Sequence, residues 1–510
     1  IWFFVALLIW GMPSFGQDAA QMPNRCTNRS AIQTLDGPIW SGWGADASNT
    51  RFQGDHISTA QLKLKWAFGF PGAKAVSGQP SIAGGRVFVS SDNGYVYSLD
   101  AATGCVYWSF HADATVRSSA MIEKISAARY AAYFGDAKAN AYAVDASTGE
   151  LIWKVHVEEH PSARITGGLK VFENRVYVPV ASGEEGAGGN ANYPCCTFRG
   201  SVVALNAATG AQIWKTYMIS DEPKPVKKNS NGVQRWAPAG AGVWNSPTID
   251  AKRRALYVGT GDAYAEPAAK TTDSIVALNL DTGKVLWSVQ DTENDVWLAV
   301  CGPNNHPENC PDDLGPDHDF GSPPILKTLP TGRSILIAGQ KSGNVWAHDP
   351  DNKGAVLWKT PLVANTKEFG GKIVWGGAAD DQYAYFGLGP GGIAAVRLTD
   401  GEKIWFRSLT PAANVSTHPG QDGPLTAVPG LVFSGGWDGV VRALSTVDGN
   451  VAWEFNTMRD FEAVNGVAAK GGSMGAAGPV VAGSMLLVPS GYVGVRSGIA
   501  GNVLLAFGAE

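Results

Sequence analysis

The sequence predicts an all-β chain that folds as an eight-bladed β-propeller. The first observation is the phrase VDASTGELIW, in which an apolar alternating run meets an Asp/Asn-x-x-Thr-Gly turn and restarts toward a tryptophan. The second is its recurrence, in four close and three weaker copies that end at Trp108, Trp153, Trp214, Trp287, Trp358, Trp405 and Trp453. The third is their spacing: counted from Trp66, these tryptophans lie roughly 42 to 73 residues apart, which is typical of four-stranded blades with insertions.

The repeated phrase is a β-hairpin signal. Glycine accepts the positive φ that such a turn requires, and alternating apolar residues on both sides are typical of strands. Two further strand-like runs precede each copy, such as SIAGG and RVFVSSD before the turn at Asp100. Each repeat therefore predicts four short strands, and the near absence of helical periodicity excludes a helical solenoid.

The two ends of the chain predict how the ring closes. The last residues, GPVVAG, SMLLVPSG and NVLLAFG, supply three strands of a blade with no tryptophan strand after them. The segment LKLKWAF around Trp66 is a fourth strand that precedes the first complete blade. Pairing of these N- and C-terminal strands removes exposed sheet edges, so we expect the eighth blade to be built from both ends.

The residues before the propeller divide into two parts. Residues 1–16 are an apolar run too short to span a bilayer, followed by polar Gln17 and Asp18. This is typical of the end of a secretory signal peptide, while a buried strand or an anchor helix is the alternative. We expect a partial signal peptide at 1–16, an N-terminal arm at 17–62, a propeller at 63–510, and a periplasmic or secreted protein.

Composition narrows the class of protein. A net charge of −5 gives no support for nucleic-acid binding, and no later apolar run is long enough for a membrane span. The 63 glycines and 18 tryptophans fit a turn-dense β structure. A chain of 510 residues would ordinarily suggest several domains, but a propeller grows by adding blades to one ring.

The chain has an even number of cysteines, which favours disulfides in an exported protein: Cys26, Cys105, Cys195, Cys196, Cys301 and Cys310. Cys301 and Cys310 bracket a loop rich in Pro, Asn and Asp, and we expect them to pair. Cys26 and Cys105 would then tie the arm to the first blade. No Cys-x-x-Cys-His motif occurs, so no covalently attached c-type haem is expected.

Three long insertions interrupt the repeats, at residues 183–198, 218–242 and 292–320. Loops tolerate variation while the blades repeat, so functional residues are expected there. We expect these insertions to crowd one mouth of the ring.

Several loop stretches resemble the quinoprotein alcohol dehydrogenases, eight-bladed propellers that hold pyrroloquinoline quinone (PQQ) and Ca²⁺ at the centre of the ring. The blade phrase is shared with propellers that are not enzymes, so single loop residues carry the more specific likeness. Within the family the chain is most similar to the branch that oxidises polyvinyl alcohol. That similarity rests on WSGWGADASNTRFQ from Trp40, the SGEEGAGGNANYPCCTFRGSV stretch and DHDFGSPPIL from Asp317.

The resemblance implies a calcium site and a cofactor floor. The family's Ser-Gly-x-Glu loop, with serine on the quinone and glutamate on calcium, corresponds to Ser182 and Glu185. Its tryptophan floor and following Gly-Thr-Gly-Asn ligand correspond to Trp244 and Asp262, where aspartate replaces asparagine. Calcium prefers oxygen ligands and a flat indole can stack under a quinone. The alternatives are a solvated acidic turn and a tryptophan of the core.

The resemblance also implies the residues that act on the substrate. In TENDVW, Asp295 takes the place of the family's proposed catalytic base, and it is also expected among the metal ligands. Lys341 matches a cation beside the quinone oxygens, where an ammonium would stabilise developing negative charge. Thr166, in ARITGG, matches a hydroxyl donor to the cofactor, and Arg117, in TVRSS, aligns with another cofactor-binding stretch.

The chain departs from the family pattern at several positions. Leu298 replaces the final aspartate of the base loop, and a glutamate that the family places near residues 77–80 is absent. The family has vicinal cysteines near Arg117, where this chain has serine and alanine. Its adjacent pair, Cys195 and Cys196, lies one blade later. We expect these two to form a vicinal disulfide at the mouth of the site and to contact the cofactor.

Two functions follow from these patterns. In the first, Asp295 takes the hydroxyl proton of a secondary alcohol, either a polymer or a small molecule, and PQQ with Ca²⁺ passes electrons singly to a separate cytochrome c. In the second, the chain is a non-enzymatic scaffold of the outer-membrane assembly type, which shares the blade phrase. A lipobox cysteine would favour the scaffold, but the first cysteine, Cys26, lies well past the expected cleavage site.

Overall fold

The computed structural model describes residues 18–127, 129–302, 307–363, 373–410, 420–421, 423–494 and 498–508. Within these ranges, seven four-stranded antiparallel sheets and one five-stranded sheet form the eight blades of the propeller, as predicted. The expected signal peptide at 1–16 lies outside the described residues. In the part of the chain that is described, no helix is long and apolar enough to cross a membrane.

The blades are numbered 1 to 8 along the chain, and the strands of each blade are named A to D. Blade 1 contains Ser81–Ala83, Arg86–Ser90, Tyr95–Asp100 and Val106–His111. Blade 2 contains Met121–Ser126, Arg129–Gly135, Asn140–Asp145 and Leu151–His156. Blade 3 contains Lys170–Phe172, Arg175–Ser182, Ser201–Asn206 and Gln212–Tyr217, with Ala163–Arg164 as its fifth strand. Blade 4 contains Thr248–Asp250, Ala255–Gly259, Ser274–Asn279 and Val285–Gln290.

The second half of the ring repeats this order. Blade 5 contains Ile325–Thr328, Ser334–Gly339, Asn344–Asp349 and Ala355–Pro361. Blade 6 contains Ala378–Ala379, Tyr383–Gly387, Ile393–Arg397 and Lys403–Arg407. Blade 7 contains Thr426–Val428, Leu431–Gly435, Val440–Ser445 and Val451–Asn456. Blade 8 takes Val480–Ala482, Met485–Ser490 and Val503–Gly508 from the end of the chain and Lys63–Gly69 as strand D.

Several short elements lie outside the blade sheets. One α-helix, Glu184–Ala187, lies in the insertion of blade 3, and two 3₁₀ turns, Ala19–Gln21 and Thr59–Gln61, lie in the arm. One hairpin, Lys224–Lys228 with Gln234–Ala237, is part of the insertion at 218–242. A second hairpin, Asp460–Glu462 with Ala468–Lys470, follows blade 7.

The turn of the repeated phrase packs against the tryptophan of the preceding blade in blades 1 to 7. In blade 1, Asp100 Oδ1 accepts hydrogen bonds from Thr103 N at 2.9 Å and Thr103 Oγ1 at 2.8 Å, and Gly104 has φ +71°. The indole of Trp66 lies so close that a Cβ on Gly104 would be 2.9 Å from the ring. Trp66 Nε1 also donates to Ala101 O at 3.0 Å. The same ring-on-glycine contact joins Trp108 to Gly149, Trp153 to Gly210, Trp214 to Gly283, Trp287 to Gly354, Trp358 to Gly401 and Trp405 to Gly449.

The ring closes by pairing the two ends of the chain, as predicted. Lys63–Gly69 pairs antiparallel with Val503–Gly508, from Lys63 opposite Gly508 to Gly69 opposite Val503. Phe68 and Leu505 in this pair are fully buried. The closing blade therefore has the same core as the other blades, although its strands are more than four hundred residues apart in sequence.

Deleting residues 503–510 is expected to lower the melting temperature of the whole ring, because strand D of blade 8 loses its partner and the buried face beside Phe68 becomes exposed. Thermal unfolding followed by circular dichroism checks this. Deleting only residues 509 and 510 is the matched control and should leave the transition unchanged. Equal melting of both truncated proteins and the parent would contradict closure by this pairing.

The N-terminal arm runs around the inside of the ring. Residues 40–53 hydrogen-bond to strand A, or to the residue beside it, in every blade. Their partners, in blade order, are Ile82, Ile122, Lys170, Ile249, Leu326, Ala379, Ala427 and Pro479. Arg51 is fully buried and donates to Gln79, Thr426 and Pro479, which belong to three different blades. The predicted arm is therefore an integral part of the ring interior.

The three disulfides agree with the predicted pairings. Cys26 is joined to Cys105 and Cys301 to Cys310. The adjacent Cys195 and Cys196 are joined to each other. The first of these bonds ties the arm to the turn of blade 1, and the second closes the loop within the insertion at 292–320.

Candidate active site

The topology brings the functional loops to one face of the ring. Because the strands of a blade alternate in direction, the loops that follow strands B and D open on the same face. Asp262 follows strand B of blade 4, Lys341 follows strand B of blade 5, and the insertion at 183–198 follows strand B of blade 3. The insertions at 218–242 and 292–320 follow strand D of blades 3 and 4. This face is called the loop face below, and it carries all three insertions, as predicted.

Three aspartates form a cluster at the loop face that is suited to a hard metal ion. Carboxylate oxygens of Asp262, Asp317 and Asp319 lie within 4.8 Å of one another. Asp319 Oδ1 accepts a hydrogen bond from Asp262 N at 2.6 Å, which fixes the two loops together. Asp262 Oδ2 is buried and has no hydrogen-bond partner among the described residues. An orphaned buried carboxylate oxygen beside two further carboxylates fits an oxygen-liganded cation.

Lys341 balances part of this negative charge. Its Nζ lies 2.6 Å from Asp317 Oδ1 and 2.9 Å from Asp319 Oδ2, and the lysine side chain is 14% exposed. The same ammonium lies 5.3 Å from the ring centre of Trp244 and 5.8 Å from that of Trp297. Lys341 therefore connects the acid cluster to the predicted aromatic floor.

Glu185 faces the same cluster. Burial raises the pKa of its carboxyl to about 8, with Lys341 opposing the rise and Asp319 and Asp317 adding to it. The short helix that carries it is held by its neighbour Glu184, which is fully buried. Glu184 accepts hydrogen bonds from the backbone N–H groups of residues 197 and 198, at 2.8 to 3.1 Å. Of these two adjacent acids, Glu184 thus stabilises the loop and Glu185 faces the site.

Asp295 supports the cluster from behind. Its carboxylate is fully buried, Oδ2 accepts from His318 N at 2.7 Å and Oδ1 accepts from Asp317 N at 3.2 Å. Burial raises the pKa of Asp295 to about 6, and the His318 N–H opposes the rise. Burial also raises the pKa of Asp317 to about 7, against the lowering effect of the Lys341 ammonium. Asp295 therefore holds the backbone that presents Asp317 and Asp319.

A cavity adjoins the cluster along Trp244. Trp244 packs edge to face with Trp375 at 5.3 Å, and the Arg117 guanidinium lies 4.1 Å from the centre of the Trp375 ring. A Cβ on Gly321 would lie 2.0 Å from the Trp244 indole, so only glycine allows the ring to lie there. Polar and cationic groups line the rest of the wall and include Arg117, Thr166, Asn245, Ser246, Gln79 and Ser119.

The predicted site residues thus lie in three places: at the acid cluster, along the Trp244 cavity and in a layer behind them. Asp262 belongs to the acid cluster, Glu185 and Lys341 face it, and Asp295 accepts hydrogen bonds from the backbone behind it. Trp244, Thr166 and Arg117 line the cavity. Ser182 Oγ accepts from Glu184 N at 3.2 Å and so lies at the start of the helix. Contact of Ser182 with a cofactor stays a prediction.

The vicinal disulfide lies behind the Glu185 helix. Cys195 and Cys196 are 1% and 0% exposed. Cys195 packs beside Leu298 next to Gly188, where a Cβ would be 2.9 Å from the Cys195 sulfur. The backbones of Cys195 and Cys196 exchange hydrogen bonds with Trp236. Among the described residues, neither cysteine lines the Trp244 cavity. Their contact with the cofactor stays a prediction.

Sequence reasoning gave no role to several residues that the structure brings into the site. Asp317 and Asp319 stand in the stretch DHDFGSPPIL, which carried a family likeness but no assigned chemistry. Trp43 of the arm and Trp375 of blade 6 line the cavity. An acidic pair spaced as Asp-x-Asp was the available signal for the first two, whereas eighteen tryptophans gave no means of selecting two.

Two family models match different parts of the chain. Residues 40–299 match the family described as glucose/ethanol/alcohol dehydrogenase β-propeller domains (PQQ). Residues 332–504 match the family of the outer membrane protein assembly factor BamB. The second match covers most of blades 5 to 8, where the blade phrase is shared. Of the three cluster aspartates, Asp262 lies within the first match, and Asp317 and Asp319 lie between the two.

Relatives of known activity match nearly the whole chain. A polyvinylalcohol dehydrogenase from Pseudomonas sp. is 41% identical over 98% of this chain and 82% of its own length. One from Sphingopyxis sp. (strain 113P3) is 38% identical over 92% of this chain and 76% of its own length.

Among solved structures, the quinohemoprotein alcohol dehydrogenase ADHIIG from Pseudomonas putida HK5 has a TM-score of 0.69 at 18% identity. The match covers 96% of this chain and 83% of that one, and it shows the same fold. The enzyme interpretation is therefore confirmed over the scaffold. The chain belongs to the family of PQQ-dependent alcohol dehydrogenases, with polyvinyl-alcohol dehydrogenases among its relatives.

Proposed function

We propose that this chain is a periplasmic, calcium-containing quinoprotein that oxidises secondary alcohol groups of polyvinyl alcohol, or of a related alcohol, to ketones. The observation that carries the proposal is the acid cluster with Lys341, which adjoins an aromatic-floored cavity through Trp244. The substrate class is supported by the two polyvinylalcohol dehydrogenases among the relatives.

The residues of the two places fit the two groups that the family implies. Glu185, Asp262, Asp317 and Asp319 offer carboxylate oxygens for Ca²⁺, and Trp244, Arg117 and Thr166 offer a flat surface, a cation and a hydroxyl for PQQ. When bound, PQQ supplies the acceptor for the two electrons of alcohol oxidation, and Ca²⁺ supplies positive charge beside it.

Two carboxylates compete for the role of proton acceptor. The family pattern favours Asp295, which stays a prediction. The geometry favours Asp317, since both oxygens of Asp295 already accept backbone hydrogen bonds and the residue is fully buried. The Asp317 side chain is 15% exposed and lies beside the Lys341 ammonium. A base in this position would take the hydroxyl proton while Lys341 stabilises the negative charge that develops nearby.

Electrons are proposed to leave singly to a separate cytochrome c. The chain itself contains no Cys-x-x-Cys-His motif, and all six of its cysteines lie in disulfides. A haem attached through cysteine thioethers is therefore not part of this chain.

Reconstitution tests the proposal. Purified protein is stripped with a chelator and then supplied with PQQ, with Ca²⁺, with both or with neither, while oxidation of polyvinyl alcohol is followed with an artificial electron acceptor. We expect turnover only with both. Four carboxylates against one ammonium leave a strongly negative site, so a trivalent ion such as La³⁺ is included. Turnover with La³⁺ but not Ca²⁺ would contradict the calcium assignment, and turnover without PQQ would contradict the quinoprotein assignment.

Stability of the metal-free protein is expected to fall as the pH rises from about 4 to about 8. Burial raises the pKa of Asp317 to about 7 and that of Glu185 to about 8, above the ordinary values of 3.8 and 4.5. A carboxyl whose pKa is raised in the folded state contributes stability below its ordinary pKa, and this is lost as the pH rises through the raised value. Bound Ca²⁺ should remove this loss by stabilising the ionised carboxylates.

Thermal unfolding at pH 5 and pH 8, with and without Ca²⁺, checks this pH dependence. The melting temperature of the stripped protein should drop between the two values, and added Ca²⁺ should raise it mainly at pH 8. Identical pH dependence with and without the ion, after verified metal removal, would show that these carboxyls do not bind it.

A further inference from the structure

A second cavity on the loop face lies outside the site described above. It has a volume of about 270 Å³ and is called the Trp236 groove. Strand D of blade 3, the loop before that blade and the insertion at 218–242 form its walls. The lining residues used below are Glu158, His160, Thr197, Arg199, Tyr217 and Trp236. We propose that this groove binds a remote segment of the same polyhydroxylated chain whose hydroxyl is oxidised at the acid cluster. The inference rests on the proposed function, because it extends the substrate of that site.

The groove is joined to the active site through two adjacent residues. His160 Nε2 lies 3.3 Å from Glu184 Oε1 and 3.1 Å from Thr197 Oγ1, at the wall of the groove. Glu184 is followed directly by Glu185, whose carboxyl faces Lys341 and the aspartates. The groove and the acid cluster are therefore connected through adjacent residues of one short helix, on the same face of the ring.

The chemistry of the walls fits an uncharged chain of alternating methylene and hydroxyl groups. The half-buried indole of Trp236 offers an apolar surface for methylene groups. His160, Thr197 and Glu158 offer hydrogen-bonding groups for hydroxyls.

Two of the charged side chains of the groove, Glu158 and Arg199, already have partners, while Glu222 also lines it. Glu158 is paired with Lys215 at 2.7 Å. The Arg199 guanidinium lies 4.1 Å from the ring centre of Tyr217, and its Nη1 donates to Ser220 O at 3.1 Å. An anion or a cation would have to break these contacts, whereas a neutral polyol would not.

A groove of this kind has a defined kinetic consequence. Binding of a remote part of the substrate adds affinity without altering the reacting groups. It should therefore lower KM for a polymer long enough to reach both places, and it should not affect a short alcohol that occupies the active site alone.

The test compares two substrates in the reconstituted holoenzyme: polyvinyl alcohol of defined length and pentane-2,4-diol, which has the same repeat but cannot span the helix. We expect Trp236→Ala to raise KM for the polymer about tenfold, with kcat nearly unchanged, and to leave the diol kinetics unaltered. Phe406→Ala is the matched control, because Phe406 is an aromatic residue 46% exposed on strand D of blade 6. It should affect neither substrate.

Further measurements separate this proposal from the proposed function and from misfolding. Calorimetric binding of the polymer to PQQ-free protein should weaken in Trp236→Ala and be retained in Trp236→Phe, whether or not the enzyme turns over. Glu158→Gln, which removes one hydrogen-bonding charge from the wall, should act in the same direction as Trp236→Ala. An equal change of KM for polymer and diol, or no change for either, would overturn the proposal that the groove binds the polymer. Failure of all alcohol oxidation with intact polymer binding would instead overturn the proposed function.

Discussion

Asp317→Asn is expected to lower kcat by on the order of a hundredfold or more, because general base catalysis typically contributes that much. Asparagine keeps the shape and one oxygen of the side chain, so binding of PQQ should be largely retained. Because Ca²⁺ loses the charge of one proposed ligand, the ion is supplied at saturating concentration. The physical reason is position: Asp317 is the partly accessible carboxylate of the cluster and lies 2.6 Å from Lys341 Nζ. Rates with saturating alcohol, measured beside metal and cofactor content, check the result.

Asp295→Asn is the informative companion variant. It should lower turnover less and loosen metal binding more, because an amide is a weaker acceptor for the backbone N–H groups of Asp317 and His318. The reverse outcome, with normal metal content and a loss of turnover confined to Asp295→Asn, would return the base to the position that the family pattern favours. A similar loss of turnover in both variants with full cofactor content would require both carboxylates in proton transfer.

Lys341→Met is expected to have the second largest effect, with two opposite consequences. Removing the ammonium leaves Asp317 and Asp319 without their cationic partner, so the cluster should bind Ca²⁺ more tightly. Turnover should nevertheless fall by roughly a hundredfold or more, since a fixed charge beside the reacting atoms is lost. Titration with Ca²⁺ and steady-state rates on the same preparation check the expected rise in Ca²⁺ affinity and the expected fall in turnover.

Lys341→Arg is the control for charge, because it keeps the cation while changing its shape. It should keep metal affinity close to that of the parent. If Lys341→Met weakens Ca²⁺ binding instead, the lysine organises the aspartates and does not compete with the ion.

The parts of the fold that the sequence predicts are those governed by local chemistry. The turn at Asp100 needs a side-chain acceptor, a hydroxyl and a glycine at fixed offsets, and these survive as a readable repeat. The closing blade was predictable for the same reason, since Trp66 stands alone before the first complete copy. The hydrophobic pattern could not show that the glycine of each turn packs against the tryptophan of the blade before it. That contact joins two different repeats.

The acid cluster was predictable only in part. Glu185 and Asp262 follow recognisable phrases, but Asp317 and Asp319 lie near the end of the insertion at 292–320, far in sequence from the Asp295 phrase at its start. Their approach to Asp262 depends on hydrogen bonds between loops, such as that from Asp262 N to Asp319 Oδ1. Glu184 is buried in the loop and Glu185 faces the acid cluster. This difference likewise depends on the direction in which each side chain leaves the short helix.

The arm at residues 40–53 changes how the ring can come apart. A propeller held only by contacts between neighbouring blades could open at any one interface while the rest stayed intact. Here one continuous segment is bonded to strand A, or to its neighbouring residue, in all eight blades, and Arg51 alone joins three of them. Separation of any two blades must therefore stretch or release a segment to which every other blade is also attached. Local opening is thereby coupled to loss of the whole inner lining, and the ring unfolds as one cooperative unit.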